Sequence, residues 1–335
     1  MTILASGVGS FPGEDAAAFD EALRVVLGEL SDLPHLPELP GRGAHAAMTG
    51  RALSLVAELG ADVQPAGWRL TGGAPGLDQR RGRSLLAQDL DALEEQTQGY
   101  DGRLKLQVAG PWTLAATVER PKGDRLLADR GARRELAQAL AEGIGTHVAD
   151  VRRRVPGASL VVQVDEPALP AVLAGSVPTA SGFHRHRSVD APEASPALEW
   201  VMAAIADSGA TPVVHCCASN VPFGLLVGAG ARGVSVDLSA LGPESYDPMA
   251  ELVESGRMLM LGVVPSTDPA TWPDDAGVTE RVLRLLDMLG LDPAGTQGSG
   301  DLVITPSCGL AGASTAWARR AYELSARVAR NVASG

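Results

Sequence analysis

The sequence predicts an α/β protein built as a single (β/α)8 TIM barrel over residues 1–335. Two observations carry this prediction. Short β-branched or apolar runs recur eight times along the 335 residues, and helix-like segments alternate with them. Such alternation requires parallel strand pairing with crossover helices, and strands that are nearly continuously apolar fit a closed barrel better than an open doubly wound sheet.

The predicted strands are ILASGVGS (3–10), DVQPAGWRL (62–70), RLKLQVAG (103–110), SLVVQVDEP (159–167), TPVVHCCA (211–218), RGVSVDLS (232–239), RMLMLGVV (257–264) and DLVITPSC (301–308). The periodic segments rich in Ala, Leu, Glu and Arg are 14–27, 47–59, 83–96, 126–154, 197–208, 278–289 and 313–332. The first unit is the least regular, because the proline-rich stretch HLPELPGR (35–42) is expected to be a long loop. No stretch has the composition of an inter-domain linker, so one domain is predicted.

Composition and charge exclude several classes of function. A net charge of −12 argues against nucleic acid or an anionic membrane surface as the main partner, because either would select a basic face. No apolar run is long enough for a transmembrane helix, and the first residues do not resemble a signal peptide. Three cysteines are too few for a disulfide framework and suit a reducing compartment, so the cytoplasm is the predicted location.

The candidate functional residues lie at the ends of predicted strands. His215 and Cys217 end the fifth strand, Asp237 ends the sixth, and Cys308 ends the eighth. In a barrel the carboxyl ends of all strands meet at one mouth, so these residues are expected to converge. Strand alternation directs His215 and Cys217 to the same side and Cys216 to the opposite side, which makes Cys216 a packing residue.

The chemistry of this set indicates a soft metal. Two thiolates, one imidazole and one carboxylate or open position form a tetrahedral set suited to Zn²⁺. The alternative is inert packing, because free cysteines are among the most buried residue types. The position of Cys308 and Asp237 at other strand ends favours the metal site. The sequence therefore predicts zinc bound by His215, Cys217, Asp237 and Cys308.

Two carboxylates and one serine belong to the same predicted mouth. Asp165 and Glu166 follow the buried run in VVQVDEPAL, where a carboxylate is costly unless it is paired or faces water. A salt bridge or helix cap is one explanation, but their place at the mouth favours contact with a cationic group of a substrate. Ser10 ends the first strand in GVGSFPG, where the glycines let a ligand approach the backbone closely.

Taken together, these stretches resemble a known family, the C-terminal catalytic barrel of cobalamin-independent methionine synthase. The resemblance is carried, in order from residue 7 to residue 310, by GVGSFPG, HLPELPGR, QVAGPWT, VVQVDEPAL, HCC and TPSCGL. It implies a zinc-dependent methyltransferase that makes methionine from homocysteine. The positions matching His215, Cys217 and Cys308 are zinc ligands in that family, and the position matching Asp237 is a glutamate ligand.

The resemblance also assigns the substrate. It implies that Asp165 binds the amino group of homocysteine and is the catalytic carboxylate, and that Val8, Gly9 and Ser10 receive the homocysteine carboxylate. The chemistry is consistent, because a thiol is mostly protonated near neutral pH and coordination to zinc deprotonates it. The thiolate can then attack a methyl group, and the thioether product is a weaker ligand that can leave.

Four departures from the family concern the methyl donor and the substrate contacts. The long enzymes carry a second, N-terminal barrel, for which the 335 residues are expected to leave no room. A substrate-contacting glutamate has no counterpart in RGAHAAMTG, where His45 is the only titratable side chain besides Arg42. A histidine that assists proton transfer aligns with Thr267, and a tryptophan that packs on the pterin aligns with Thr117. Trp112 is nearby and is the candidate for binding the donor.

The leading hypothesis is therefore a zinc-dependent homocysteine methyltransferase whose donor is methyltetrahydrofolate or a methylcorrinoid, free or protein-bound. One alternative is a methyltransferase for another thiol. A second is a zinc-dependent barrel hydrolase with Asp165 or Glu166 as general base, against which two thiolates make the metal a weaker Lewis acid. A third is a non-catalytic zinc-binding barrel that has lost its donor site.

Overall fold

The computed structural model describes residues 1–293 and 300–334. The strands within these ranges are β1 (Ile3–Ala5), β2 (Ala61–Gln64), β3 (Gly67–Leu70), β4 (Arg103–Ala109), β5 (Ser159–Asp165), β6 (Thr211–Cys216), β7 (Gly233–Asp237), β8 (Met258–Val264) and β9 (Leu302–Pro306). The α-helices are α1 (Ala16–Glu29), α2 (Met48–Leu55), α3 (Leu77–Gln96), α4 (Pro111–Thr117), α5 (Arg130–Arg154), α6 (Leu169–Leu173), α7 (Ala191–Asp207), α8 (Phe223–Gly228), α9 (Tyr246–Glu254), α10 (Asp275–Met288) and α11 (Thr315–Ser334).

A curled parallel sheet of seven strands, in the order β1-β9-β8-β7-β6-β5-β4, forms the centre of the protein. Every neighbouring pair in it is parallel. Helices lie between successive strands in the chain and pack on the sheet, which confirms the predicted α/β fold with crossover helices. The carboxyl ends of the strands meet on one side, as the sequence predicts.

The predicted second strand, 62–70, does not join this sheet. Its two halves form a separate antiparallel hairpin of β2 and β3. Pro65 follows β2, and Gly67 opens β3 with a φ of 127°, so the run turns back on itself instead of continuing. The large parallel sheet therefore contains seven of the eight predicted strands.

The proline-rich stretch predicted to be a long loop lies between the two edges of the sheet. The N–H of Leu36 donates to the carbonyl of Lys105 on β4 (3.0 Å), and the N–H of Glu38 donates to the carbonyl of Gly9 beyond β1 (3.1 Å). The prolines at positions 34 and 37 do not interrupt this pairing, because the N–H groups that donate belong to other residues. An extended segment therefore connects β4 to the end of β1.

The concave side of the sheet is layered from the amino ends of the strands to their carboxyl ends. On β5, Val161, Gln163 and Asp165 follow one another on the same side, because every second strand residue faces the same way. Val161 belongs to a small apolar cluster, Gln163 is fully buried above it, and Asp165 lies at the mouth. The apolar cluster consists of Leu4, Leu33, Val161, Val213, Met258, Met260 and Val303.

The main hydrophobic core lies between the sheet and its helices. Aspartates begin four of the long helices by accepting hydrogen bonds from N–H groups of the first turn, and they are Asp15, Asp129, Asp190 and Asp274. Each such cap satisfies a donor that the helix itself cannot pair. No helix in the described part of the chain is both long and apolar enough to cross a membrane.

Candidate metal centre and substrate pocket

Three of the four predicted metal ligands come together at the carboxyl ends of β6 and β9. The ligand atoms of His215, Cys217 and Cys308 all lie within 4.8 Å of one another. The two sulfur atoms are 3.3 Å apart, and both cysteines are free thiols. This separation is longer than a disulfide bond and is suited to two thiolates that share one metal ion.

The imidazole of His215 is oriented by the neighbouring strand. His215 pairs with Ser235 across β6 and β7, and its Nδ1 lies 2.9 Å from the Ser235 hydroxyl. The Nε2 atom is buried and has no hydrogen-bond partner. If Nδ1 carries the proton and donates it to Ser235, Nε2 presents its lone pair to the cluster, which is the arrangement typical of metal-bound histidines.

Cys216 lies apart from this cluster. It is fully buried and belongs to the main hydrophobic core between sheet and helices. Burial raises the pKa of the Cys216 thiol to about 11, so it stays protonated. The predicted division between the two adjacent cysteines, with Cys217 at the mouth and Cys216 in the core, agrees with this arrangement.

Asp237 is not part of the cluster. It lies at the end of β7, where its Oδ1 accepts hydrogen bonds from the N–H (2.9 Å) and hydroxyl (2.7 Å) of Ser239. Its side chain lines a separate cavity that also contains Thr267. Asp237 thus accepts hydrogen bonds within a local turn. Its role as a fourth metal ligand stays a prediction.

A cavity of about 350 Å³ opens beside the cluster, within the range of small-molecule sites. The three predicted residues of the first strand and the predicted catalytic carboxylate all line it. The lining consists of Val8, Gly9, Ser10, Glu38, Pro40, Met48, Gln107, Asp165, Pro167, His215, Cys217, Cys308 and Gly309. Ser10 is held in place, since its hydroxyl accepts a hydrogen bond from the N–H of Ala311 at 3.2 Å.

Asp165 faces this cavity from the end of β5. It is the registered neighbour of His215 on β6, which places both side chains at the same level of the mouth. Its Oδ1 accepts a hydrogen bond from Nε2 of Gln163 at 2.7 Å. Burial raises the pKa of the Asp165 carboxyl to about 7, and a cation brought next to it would favour its charged form.

Glu166, the adjacent carboxylate, has a different environment. It is fully buried and accepts hydrogen bonds from the backbone N–H groups of Trp112 (2.9 Å) and Thr113 (2.7 Å), and from the Thr113 hydroxyl (2.7 Å). The two N–H groups belong to the first turn of α4, where the helix itself offers them no acceptor. Glu166 therefore caps a helix, which is the structural alternative that the sequence left open for this pair.

Replacing Glu166 by alanine is expected to lower the free energy of unfolding by about 2–4 kcal/mol, because two buried N–H groups lose their acceptor. Chemical denaturation of the metal-loaded protein measures the effect. The metal content should not change, since Glu166 does not touch the cluster. A variant as stable as the unmodified protein would contradict the capping role.

Trp112 and the two aligned threonines do not line the cavity beside the cysteines. The indole N–H of Trp112 donates to the carbonyl of Ala194 on α7 (3.1 Å), and the ring lies under the guanidinium of Arg133. Thr117 ends α4, where its hydroxyl donates to the carbonyl of Thr113 at 2.8 Å. Trp112 thus packs between helices, and its predicted contact with a donor stays a prediction.

Four polar residues around the cavity were not predicted from the sequence: Glu38, Lys105, Gln107 and Gln163. A signal was present, because RLKLQVAG and VVQVDEPAL place polar side chains at alternate positions of otherwise apolar strands. Such side chains point to the concave side together. Burial lowers the pKa of Lys105, while the charges of Asp165 and Glu38 act in the opposite direction.

The chain is similar to proteins of a known family. Residues 107–331 match the family described as the catalytic domain of cobalamin-independent synthase. A search of curated protein sequences gave no significant match. Among solved structures, a B12-independent methionine synthase from Shewanella sp. W3-18-1, in complex with selenomethionine, superposes with a TM-score of 0.62 at 16% identity, covering 99% of this chain and 98% of that one.

More distant structural matches are a β-galactosidase from the psychrophilic Marinomonas ef1 (TM-score 0.46, 13% identity, 98% of this chain and 59% of that one) and a D-tagatose 3-epimerase-like protein (TM-score 0.37, 12% identity, 74% and 84%). The family match covers more than half of the 335 residues and includes β5, β6 and β9, which carry or precede Asp165, His215, Cys217 and Cys308. The protein therefore belongs to the cobalamin-independent methionine synthase family and is a methyltransferase of that type.

Proposed function

We propose that this protein is a zinc-dependent methyltransferase that transfers a methyl group to the thiol of homocysteine and forms methionine. The observation that carries the proposal is the His215–Cys217–Cys308 cluster at the edge of a cavity that also contains Asp165 and Ser10. The synthase from Shewanella was solved in complex with selenomethionine. That ligand is the selenium analogue of the product proposed here.

The donor set fits zinc. Two sulfur atoms and one imidazole nitrogen are ligands that Zn²⁺ binds in proteins, and a set of three leaves a position for a further ligand. The unpaired, buried Nε2 of His215 is otherwise a cost to the fold. Zinc bound there would supply a Lewis acid that keeps an acceptor thiol deprotonated near neutral pH.

The chain's own residues would hold the rest of the acceptor. The Asp165 carboxylate would bind the ammonium group, and Val8, Gly9 and Ser10 would receive the carboxylate. Gly9 packs closely against Gln107 and has no room for a side chain, since a Cβ there would lie 2.8 Å from Cγ of Gln107. In this arrangement the amino-acid end is fixed and the sulfur is directed to the two cysteines.

We also propose a closed barrel and a cytoplasmic location for this protein. The extended segment around Leu36 would serve as the eighth strand that closes a (β/α)8 barrel, supported by its hydrogen bonds to Lys105 and Gly9. Residues 1–335 would then be one catalytic domain. Three free thiols suit a reducing compartment, which supports the cytoplasm as the proposed location.

For the donor, we favour a methylcorrinoid over methyltetrahydrofolate. Transfer from the folate must expel a poor nitrogen leaving group unless that nitrogen is protonated, so the site should supply a proton and a surface for the pterin. Thr267 lies in the neighbouring cavity and Trp112 packs between helices. A corrinoid makes neither demand, because its cobalt retains the electron pair of the broken cobalt–carbon bond while the methyl group bonds to sulfur.

The expected result is faster methylation of homocysteine from methylcobalamin than from methyltetrahydrofolate, either mono- or polyglutamylated, at matched concentrations. Methionine formation by the zinc-loaded protein is the measurement, and it tests the proposed function at the same time. Turnover with the polyglutamyl folate and none with methylcobalamin would contradict the donor assignment. Failure with every donor would contradict the proposed function.

A further inference from the structure

Lys105 is buried without solvent contact on the concave side of β4, and each N–H of its ammonium group donates a hydrogen bond. Its Nζ donates to the carbonyl of Val8 (2.8 Å), to Oε1 of Gln163 (3.0 Å) and to Oε1 of Gln107 (3.4 Å). An ammonium group has three N–H donors, so none remains for a substrate. Lys105 is therefore not placed to act on a ligand directly.

The lysine fixes the orientation of both glutamines. Since an ammonium group can only donate, each glutamine must turn its oxygen toward Lys105 and its NH₂ group away from it. The NH₂ group of Gln107 donates to the carbonyl of Leu36 (2.6 Å) and to Oε1 of Glu38 (3.2 Å). The NH₂ group of Gln163 donates to the carbonyl of Val8 (2.9 Å) and to Oδ1 of Asp165 (2.7 Å).

Each glutamine thus holds one carboxylate that lines the cavity. Gln107 contacts Oε1 of Glu38, and the Nε of Arg51 lies 3.2 Å from the same oxygen. Gln163 contacts Oδ1 of Asp165. Glu38 and Asp165 both line the cavity beside the cysteines, and their side chains are almost fully buried. Arg51 and Lys105 partly offset the burial of these two carboxylates, and a cation that enters the cavity between them would stabilise both charges further.

We propose that Glu38 and Asp165 together bind the ammonium group of the amino-acid acceptor, and that Lys105 is the positioning residue that holds both carboxylates through Gln107 and Gln163. This inference rests on the proposed function. Glu38 lies before the PGR turn (40–42), whereas the family glutamate that lacks a counterpart here lies after it. The consequence is selectivity for thiols that carry an α-ammonium group over thiols that lack one.

The test compares two ligands on the zinc-loaded protein. Calorimetry measures the affinity for homocysteine and for 2-hydroxy-4-mercaptobutanoate, which has a hydroxyl in place of the ammonium group. Glu38→Gln is expected to weaken homocysteine binding at least about tenfold and to leave the hydroxy analogue nearly unchanged, because only one ligand carries the opposed charge. The ratio of the two affinities should therefore fall.

A matched control is Glu119→Gln. Glu119 is also a buried carboxylate in an ion pair, with Arg69, but it does not line the cavity. The control should keep the wild-type ratio of affinities. Lys105→Met is expected to lower that ratio as Glu38→Gln does, because the glutamines lose the donor that fixes their orientation.

Homocysteine binding by the unmodified protein tests the proposed function, and the affinity ratio of the variants tests the inference. If the unmodified protein binds homocysteine through zinc and Glu38→Gln retains the full ratio, Glu38 only balances the charge of Arg51 and the inference is wrong. If the unmodified protein does not bind homocysteine, the proposed function fails and the inference fails with it. If Lys105→Met folds and retains the full ratio, Lys105 is not the positioning residue. Should Lys105→Met not fold, Glu38→Gln alone decides whether Glu38 contacts the ammonium group.

Discussion

Replacing Cys217 or Cys308 by serine is expected to abolish tight zinc binding and with it methyl transfer to homocysteine. The two thiols supply the soft ligands of the cluster, and a serine hydroxyl neither deprotonates readily nor binds zinc as strongly. Metal analysis after dialysis should fall from about one Zn²⁺ per chain to nearly none. The free energy of unfolding in the absence of metal should change little, since both side chains are partly exposed.

Cys216→Ser is the matched control, because it changes the adjacent residue in the same way. Cys216 lies in the hydrophobic core and faces away from the cluster. This variant should retain its zinc, although a buried hydroxyl without a partner should cost about 1–3 kcal/mol of stability. Equal zinc loss from the Cys216 and Cys217 variants would contradict the assignment of the metal site.

Asp165→Asn is expected to weaken homocysteine binding by about 2–5 kcal/mol, or some tens- to thousands-fold, while zinc content stays intact. The substitution keeps the size of the side chain and removes the charge opposed to the ammonium group. Calorimetry with the zinc-loaded protein measures the loss. The variant is expected to fold, because an amide oxygen can still accept the hydrogen bond from Gln163.

Glu166→Gln provides the comparison for Asp165→Asn. Glu166 is the next residue and is equally buried, but its oxygens are occupied by donors of α4. Its substitution should leave the affinity for homocysteine unchanged. Homocysteine affinity that is unaltered in Asp165→Asn would remove this carboxylate from the site.

The convergence of the cluster could be predicted from local sequence because it depends on only two regularities. Parallel strands bring their carboxyl ends to one side, and alternation separates Cys217 from Cys216. Neither regularity requires knowledge of side-chain packing. His215, Cys217 and Cys308 therefore lie together as predicted, although Cys217 and Cys308 are 91 residues apart in the chain.

The position of the second predicted strand could not be inferred in the same way. DVQPAGWRL has a suitable composition for a strand, whereas HLPELPGR is rich in proline and does not. Which segment lies between β1 and β4 is decided by long-range backbone hydrogen bonds, donated by the N–H groups of Leu36 and Glu38 and accepted by the carbonyls of Pro34 and Glu38. Strand propensity does not report such pairing, and Glu38 was missed as a cavity residue for the same reason.

The side-chain directions of Asp237 and Trp112 could not be predicted from the sequence either. Both lie near the predicted strand ends, yet Asp237 bonds to Ser239 and the indole of Trp112 bonds to Ala194. A position at the end of a strand restricts where a residue lies but leaves the direction of its side chain open. The rotamer is decided by nearby donors and acceptors that are distant in sequence or belong to a local turn.

The most direct test of the central claim is the number of sulfur atoms around the zinc, measured by X-ray absorption at the zinc edge with and without homocysteine. The protein alone should show the two cysteine sulfurs and one imidazole among its ligands. Addition of homocysteine should raise the sulfur count by about one, because the thiol of the acceptor joins the chain's own ligands. A count that does not change on saturation with homocysteine would contradict the proposal that this cluster binds the acceptor thiol.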